Sequence, residues 1–421
     1  MKLNIAVVFG GKSTEHEVSV ISALQAIENI DKDKYNVIAI YMDKKGDFYF
    51  SKDNLLIESK NYKNINSLLS KCNNVYFVKE KNHTYLREVN TGLFGSKLNQ
   101  IIDVAFPIVH GTNVEDGNLQ GYFHTLNLPL VGPDTLSSAV SMDKYVMKEY
   151  CKAIGIPVID ALRFDKNDFK EIDKLIKQVK DEIGFPVIVK PVNLGSSIGI
   201  KKATDESGLR DALELAFSFA DIILIEKAIT NLREINCAVL GDKFDAECSA
   251  LEEPFGHDEI LSFADKYMGG SGSKGSKVGV KSNGAGVKAH DVGDDILSSR
   301  VGASTASPNK LGSKSGMASL SRKVPADLDE TTSNEIKTYA KKIFKYIGCS
   351  GVARIDFIID KDTKKVYANE INSIPGSLSF YLFKPLGMEY RELLDKLISI
   401  AIENYKDQER LNFSFENNLL A

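Results

Sequence analysis

Apolar positions recur along this chain with two periods, and their alternation outlines an α/β protein. Residues 5–9 are fully apolar, as in a buried parallel strand, and Gly10 and Gly11 then turn the chain. Residues 17–30 carry Val18, Ile21, Leu24 and Ile27 at helical spacing, and residues 37–41 are strand-like again. That strand–turn–helix–strand order predicts a doubly wound parallel sheet. A further apolar run at 101–109 ends at His110-Gly111, a helix is predicted at 120–126, and Pro133 stops a short strand.

The next stretch predicts a helix over 137–154, closed by Gly155 and Pro157. Strands at 161–164, 185–190 and 222–226 alternate with helices at 169–182 and 209–220, around a Gly/Ser turn at 193–199. A strand at 237–241 precedes residues 269–321, whose Gly, Ser and Lys content cannot bury a core. Helical patterning resumes at 335–347 and 390–401. The expected domains are an α/β unit at 1–133, a small α+β unit at 134–224 and a third unit at 225–406 that carries the insert. Residues 407–421 read as a tail.

Residues 351–359 and 366–372 are rich in β-branched and aromatic side chains around a polar turn, which predicts a hairpin. Alternation puts Arg354 and Asp356 on one face of the first strand, and Glu370 and Asn372 on one face of the second. One register sets Asp356 opposite Glu370. Facing carboxylates are destabilising unless something positive lies between them. Oxygen donors without His or Cys select a hard ion such as Mg²⁺ over Zn²⁺. The plainer alternative is the solvated face of an ordinary hairpin.

Other residues acquire meaning only beside this hairpin. Lys190 ends an apolar strand and precedes Gly195-Ser196-Ser197, whose amides and hydroxyls suit phosphate oxygens, or else form a surface turn. Lys144 lies on a helix, where most lysines are solvated. Glu15 follows the first strand, where it can receive a cationic amine or serve as a helix N-terminal acid. Gly11-Lys12-Ser13 is no phosphate-binding loop, because Ala6 stands where the required glycine belongs. The pattern Gly270-Ser271-Gly272-Ser273-Lys274-Gly275 has neither a strand before it nor a helix after it.

Bulk properties narrow the class. A net charge of -4 and a pI near 6.0 argue against nucleic acid or an anionic membrane as partner. Cys72, Cys151, Cys237, Cys248 and Cys349 are scattered, as reduced thiols are, and no apolar run reaches membrane-spanning length. A cytoplasmic protein is expected.

Several of these segments resemble the D-alanine–D-alanine ligase family of ATP-grasp enzymes. The matching segments, in order, are 9–19, 109–111 with 115–121, and Met142-Asp143-Lys144. They continue with 189–191, 195–199, Glu226-Lys227, Arg354-Ile355-Asp356 and 369–376. The resemblance implies a three-domain ligase with ATP between the second and third domains. Lys144 and Lys190 would hold ATP phosphates, Glu226 and Lys227 would face adenine, and Glu234 the ribose, with Ser197 and Lys266 also at the nucleotide. Asp356, Glu370 and Asn372 would bind two Mg²⁺ (or Mn²⁺) ions. Glu15 would take the ammonium of the first D-alanine, beside Ser196 and Tyr267. Arg354 and the backbone amide of Gly376 would hold the oxyanion, while His110, Ser377, Tyr381 and Leu382 would contact substrate.

The implied reaction joins two D-alanines through an acyl phosphate made from ATP, for peptidoglycan precursor synthesis, and a homodimer is expected. Two departures leave alternatives. Tyr381 stands where the family commonly carries serine, which admits D-serine or another second substrate. The insert falls on the family's lid, after Lys266-Tyr267, which admits a non-catalytic ATP-binding protein.

Overall fold

The computed structural model describes residues 2–89, 98–254 and 322–412, which are organised around three sheets. The first comprises β1 (Leu3–Gly10), β2 (Tyr35–Met42), β3 (Phe48–Phe50), β4 (Asn73–Glu80), β5 (His83–Glu88), β6 (Asn99–Ile102) and β7 (Val104–Pro107). Its order is β6-β5-β4-β3-β2-β1-β7. β1 runs parallel to both β2 and β7, and the other neighbours are antiparallel. Helices α1 (His16–Asn29), α2 (Ile65–Leu69) and α3 (Asn118–Thr125) complete this part. β1 is apolar because it is buried on both faces, with Ile5 through Phe9 fully enclosed. The apolar run at 101–109 is not one strand. Asp103 exchanges hydrogen bonds with Asn4, its carboxylate accepting from Asn4 N at 2.7 Å, and this splits the run into β6 and β7. The antiparallel extension from β3 to β5 escapes the periodicity reading because its faces are mixed and carried by aromatic contacts such as Phe48 with Phe77 and Tyr122.

The second sheet, β10-β9-β11-β8, is antiparallel and contains β8 (Ala161–Asp165), β9 (Val187–Pro191), β10 (Lys201–Ala203) and β11 (Ile222–Lys227). It is preceded by α4 (Thr135–Met142) and α5 (Lys144–Ala153), and carries α6 (Ile172–Glu182) and α7 (Glu206–Phe219). The helix predicted over 137–154 is two helices. Asp143 leaves the helical conformation at ψ 107°, and its carboxylate caps α5 by accepting from Tyr145 N and Val146 N at 2.9 and 3.0 Å. The break aims α5 afresh. Its first residue is pinned to the end of β9 by Lys144 N donating to Val192 O at 2.9 Å.

The third sheet, β14-β13-β12-β15-β16, contains β12 (Leu232–Gly241), β13 (Ala246–Pro254), β14 (Arg322–Lys323), β15 (Gly351–Asp360) and β16 (Val366–Asn372). Helix α8 (Glu330–Tyr346) buries Ile336, Ala340, Ile343 and Phe344, one helical face, against Ile235, Ile355 and Phe357. The short α9 (Phe380–Phe383) leads to α10 (Tyr390–Glu409), which crosses to the first sheet. There Leu393, Leu394, Leu397 and Ile398 join the core around β1. Asp395 accepts from Tyr35 Oη at 2.6 Å and Lys34 Nζ at 2.8 Å. First and third sheets are therefore held together by the last helix.

Ile355 points into the α8 core from the strand position between Arg354 and Asp356. Ile355→Ala is expected to lower stability by about 2–5 kcal/mol in urea unfolding followed by circular dichroism.

Candidate active site

A small cleft opens where the three sheets meet, and its wall includes Glu15, Glu115, Lys144, Arg354, Glu370 and Asn372. Pairing of β15 with β16 sets Arg354 opposite Asn372 and Asp356 opposite Glu370. The two facing carboxylates have separate cations. Arg354 grips Asp356 with a two-pronged fork, Nε and Nη2 donating at 2.7 and 2.8 Å. Asn372 Nδ2 adds a third donor to Asp356 at 3.0 Å. Lys144 Nζ lies 3.0 Å from Glu370 Oε1 and donates to Leu194 O at 2.7 Å, so α5 reaches both the hairpin and the turn after β9. The register slips after Asp356, leaving Asn369 as a bulge residue whose buried Oδ1 has no hydrogen-bond partner. Two carboxylates and amide oxygens on adjacent strands, without His or Cys, form a donor set that fits Mg²⁺ or Mn²⁺.

The opposite wall is built around Glu15. Its carboxylate is buried and accepts the Ser196 hydroxyl. Gly111, at φ +85°, and Gly195 close around it, since a Cβ on either would stand 2.9 or 2.7 Å from Glu15 Oε2. Only glycine leaves room for that oxygen. Ser196 and Ser197 themselves hold positive φ values of 54° and 59°, a strained turn of the kind found at functional sites.

Behind Glu15, buried polar groups tie the first sheet's loops to the segment after β16. His110 Nδ1 lies 2.9 Å from Ile374 O and Nε2 lies 3.0 Å from Ser22 Oγ. A carbonyl only accepts, so Nδ1 carries the proton, Ser22 donates to Nε2, and Ser22 Oγ accepts from Ser377 N at 3.1 Å. Burial lowers the His110 pKa to about 4, which keeps the ring neutral. Ser377 Oγ donates to Gln25 at 2.7 Å. Glu115 accepts from Gly111 N at 2.9 Å and Ile374 N at 2.8 Å, one on each oxygen. Burial, with help from the Glu15 charge, raises its pKa to about 8 against the pull of those amides.

In the second sheet Glu226 stands between two lysines. Lys190 Nζ lies 2.6 Å from Oε1 and Lys148 Nζ lies 2.9 Å from Oε2. Burial raises the Glu226 pKa, and the lysines more than reverse this, leaving it lowered to about 2. Lys227 points away from them, donating to Phe185 O at 2.8 Å. Glu234 is half-buried on β12, opposite Ile358. Gly376 lines the cleft. Leu382 is fully buried in the core around α10. Tyr381 is enclosed: the Arg322 guanidinium stacks 4.2 Å from its ring, and its hydroxyl lies 3.3 Å from Glu252. Lys266 and Tyr267 lie outside the described residues.

Three side chains in this arrangement are absent from the sequence-derived candidates. Glu115 lies inside a recognised motif but reads there as an ordinary loop acid. Glu252 bonds Arg322, Asn236 and Tyr381, a network no local pattern announces. Lys148 had a usable signal. Like charges at i and i+4, as in Lys144 and Lys148, disfavour a helix unless each has an anionic partner.

Glu115 gives a pH signature. Its folded pKa lies above that of an unfolded carboxyl, so its contribution is unpenalised below about pH 4.5 and is progressively lost as pH rises to about 8. Relative to wild type, Glu115→Gln is therefore expected to gain stability over that window, measured by thermal melts at fixed ionic strength. A stability difference independent of pH would contradict the assignment.

Comparison with known proteins is consistent along the chain. The family description D-ala D-ala ligase N-terminus matches residues 4–133, and D-ala D-ala ligase C-terminus matches 150–286 and 312–399. A D-alanine–D-alanine ligase from Thermosipho melanesiensis is 35% identical, the match covering 99% of this chain and 98% of that one. One from Shouchella clausii is 34% identical over 99% and 100%. Among solved structures, the D-alanine–D-alanine ligase of Coxiella burnetii matches with a TM-score of 0.74 and 27% identity, covering 97% of this chain and 96% of its own. The VanG D-Ala:D-Ser ligase of Enterococcus faecalis matches at 0.71 and 27%, over 95% and 100%. The chain thus has the three-sheet ATP-grasp architecture and belongs to the D-alanine–D-alanine ligase family.

Proposed function

We propose that the chain joins two molecules of D-alanine at the expense of ATP, releasing ADP and phosphate, and so supplies a peptidoglycan precursor. The observation that carries this reading is the polarity of the cleft. The buried carboxylate of Glu15 lines it together with the cations Arg354 and Lys144, each paired with an acid of the hairpin. An amino acid has the complementary polarity. Its ammonium suits Glu15, and its carboxylate then faces the cations.

A free carboxylate resists attack by an amine. Transfer of the ATP γ-phosphoryl group to a carboxylate oxygen makes an acyl phosphate, and the amine of a second D-alanine attacks its carbonyl. The tetrahedral oxyanion collapses as the C–O bond breaks, phosphate leaves, and the peptide bond remains. The first step brings two anions together, so positioning and charge neutralisation carry most of the catalysis. Lys144 is poised for that task, with Lys190 held on Glu226 until phosphates arrive. Asp356, Glu370 and Asn372 would hold Mg²⁺ or Mn²⁺, which supplies further neutralisation of phosphate charge. Arg354, fixed by Asp356, and the amide of Gly376, which lines the cleft, would receive the oxyanion. Glu115 and His110 hold the Ile374 segment that presents Gly376. No helix among the described residues is long and apolar enough to cross a membrane, which suits work on soluble substrates in the cytoplasm.

A second reading is supported by Tyr381. It occupies the place of the family's serine and is engaged by Arg322 and Glu252, so the second amino acid meets a differently shaped wall. D-serine is the alternative nucleophile.

Purified protein with ATP, Mg²⁺ and D-alanine is expected to release phosphate in proportion to dipeptide formed. An absence of D-alanine-dependent phosphate across pH 6–9 would reject the ligase. Arg354→Ala is expected to lower kcat by about 10²–10³-fold, the usual loss when an oxyanion donor is removed. A second-substrate panel in which D-serine outcompetes D-alanine would replace the first reading by the second.

A further inference from the structure

Two lysines lie one turn apart on the same face of α5, and they meet different anions. Lys144 reaches Glu370 on the hairpin, while Lys148 turns into the protein and meets Glu226 on β11. Lys148 is only 1% exposed, and its ammonium also donates to Ile159 O at 3.1 Å. It has no path to a ligand. A lysine this deep is unfavourable unless paired and hydrogen-bonded.

Its partner is almost as deeply buried. Glu226 is 4% exposed and Lys190 5%, so the three form one enclosed cluster of net charge +1. Glu226 Oε1 takes Lys190, and Oε2 has the Lys148 ion pair but no directed hydrogen bond. The cluster therefore holds one more cation than it needs. If Lys190 swings to ATP phosphates, the remaining Lys148–Glu226 pair is neutral, and no bare carboxylate is left behind.

We infer that Lys148 is a positioning residue for the nucleotide, the permanent counter-ion of Glu226 that frees Lys190 to leave for phosphate. This rests on the ligase reading, in which Lys190 holds phosphates. Without Lys148, Glu226 has Lys190 as its sole cation in this cluster. Moving Lys190 would then strand a buried carboxylate, and removing one partner of a buried pair is strongly unfavourable. The penalty falls on ATP affinity, although Lys148 never touches ATP. D-alanine, bound at the Glu15 end, is not affected.

The test is calorimetric titration of ATP–Mg²⁺ into wild type, Lys148→Met, Glu226→Gln and the double variant, with steady-state KM values beside it. Lys148→Met is expected to weaken ATP binding and raise KM for ATP by about tenfold or more, with KM for D-alanine changed less than about threefold. In the Glu226→Gln background the same substitution is expected to cause no further loss, because the carboxylate it serves is gone. Lys148→Arg, which keeps the charge, is expected to recover part of the affinity. Unchanged ATP affinity in Lys148→Met would overturn the inference, as would an equal loss in both backgrounds. If Lys148→Met does not fold, the comparison of Glu226→Gln with the double variant decides alone. Wild-type protein that binds no ATP would overturn the ligase reading and this inference together.

Discussion

The constraint on which the rest depends is that several carboxylates must share one small region in and beside the cleft. Glu15, Glu115, Asp356 and Glu370 come from distant parts of the chain, and each is stabilised by a different means. Asp356 has a guanidinium fork, Glu370 a lysine, Glu15 a serine hydroxyl, and Glu115 retains its proton to about pH 8. Charge pairing and protonation thus divide the acids into two kinds. Asp356 and Glu370 face each other on the hairpin, and Glu15 and Glu115 belong to the loops of the first sheet. That division gives the cleft two chemically different sides, which the proposed joining of a carboxylate to an amine would use.

Much of the scaffold follows from this arrangement. The cap at Asp143 breaks a continuous amphipathic stretch so that α5 starts where Lys144 can span the hairpin and the turn after β9. The crossing of α10 to the first sheet brings the Ile374–Gly376 segment against the loops that carry His110 and Glu115. The cap adds nothing to the core, whereas α10 also packs Leu393, Leu394, Leu397 and Ile398 into the core around β1. Their effect is to fix distances between elements that periodicity treats as independent.

Sequence periodicity revealed those parts whose physics is local. β1, α1 and β2 follow from apolar runs and helical spacing. The hairpin's register follows from side-chain alternation, and pairing of Asp356 with Glu370 is the arrangement that alternation allowed. The antiparallel strands between 48 and 88 do not follow, because their burial is supplied by aromatic contacts with α3 from further along the chain. The helix break at Asp143 is a side-chain capping choice that outweighs an unbroken helical pattern. Glu115 and Glu252 were hidden for a related reason. Burial makes them distinctive, and burial of a charged side chain is set by partners remote in sequence.

Several hydrogen bonds around Glu15 join residues 181 to 355 positions apart: Ser196 to Glu15, Ile374 to Glu115 and Ser377 to Ser22. A chain made from its N-terminus completes β1, β2 and β7 long before residue 374 exists. Through that interval Ser22 and His110 have each other and Glu115 has Gly111, while the bonds to residues 374–377 are still to be made. Domains fold as units during synthesis, so the first sheet can close its apolar core while this polar edge stays hydrated. Only the last part of the chain to be made then seals that edge.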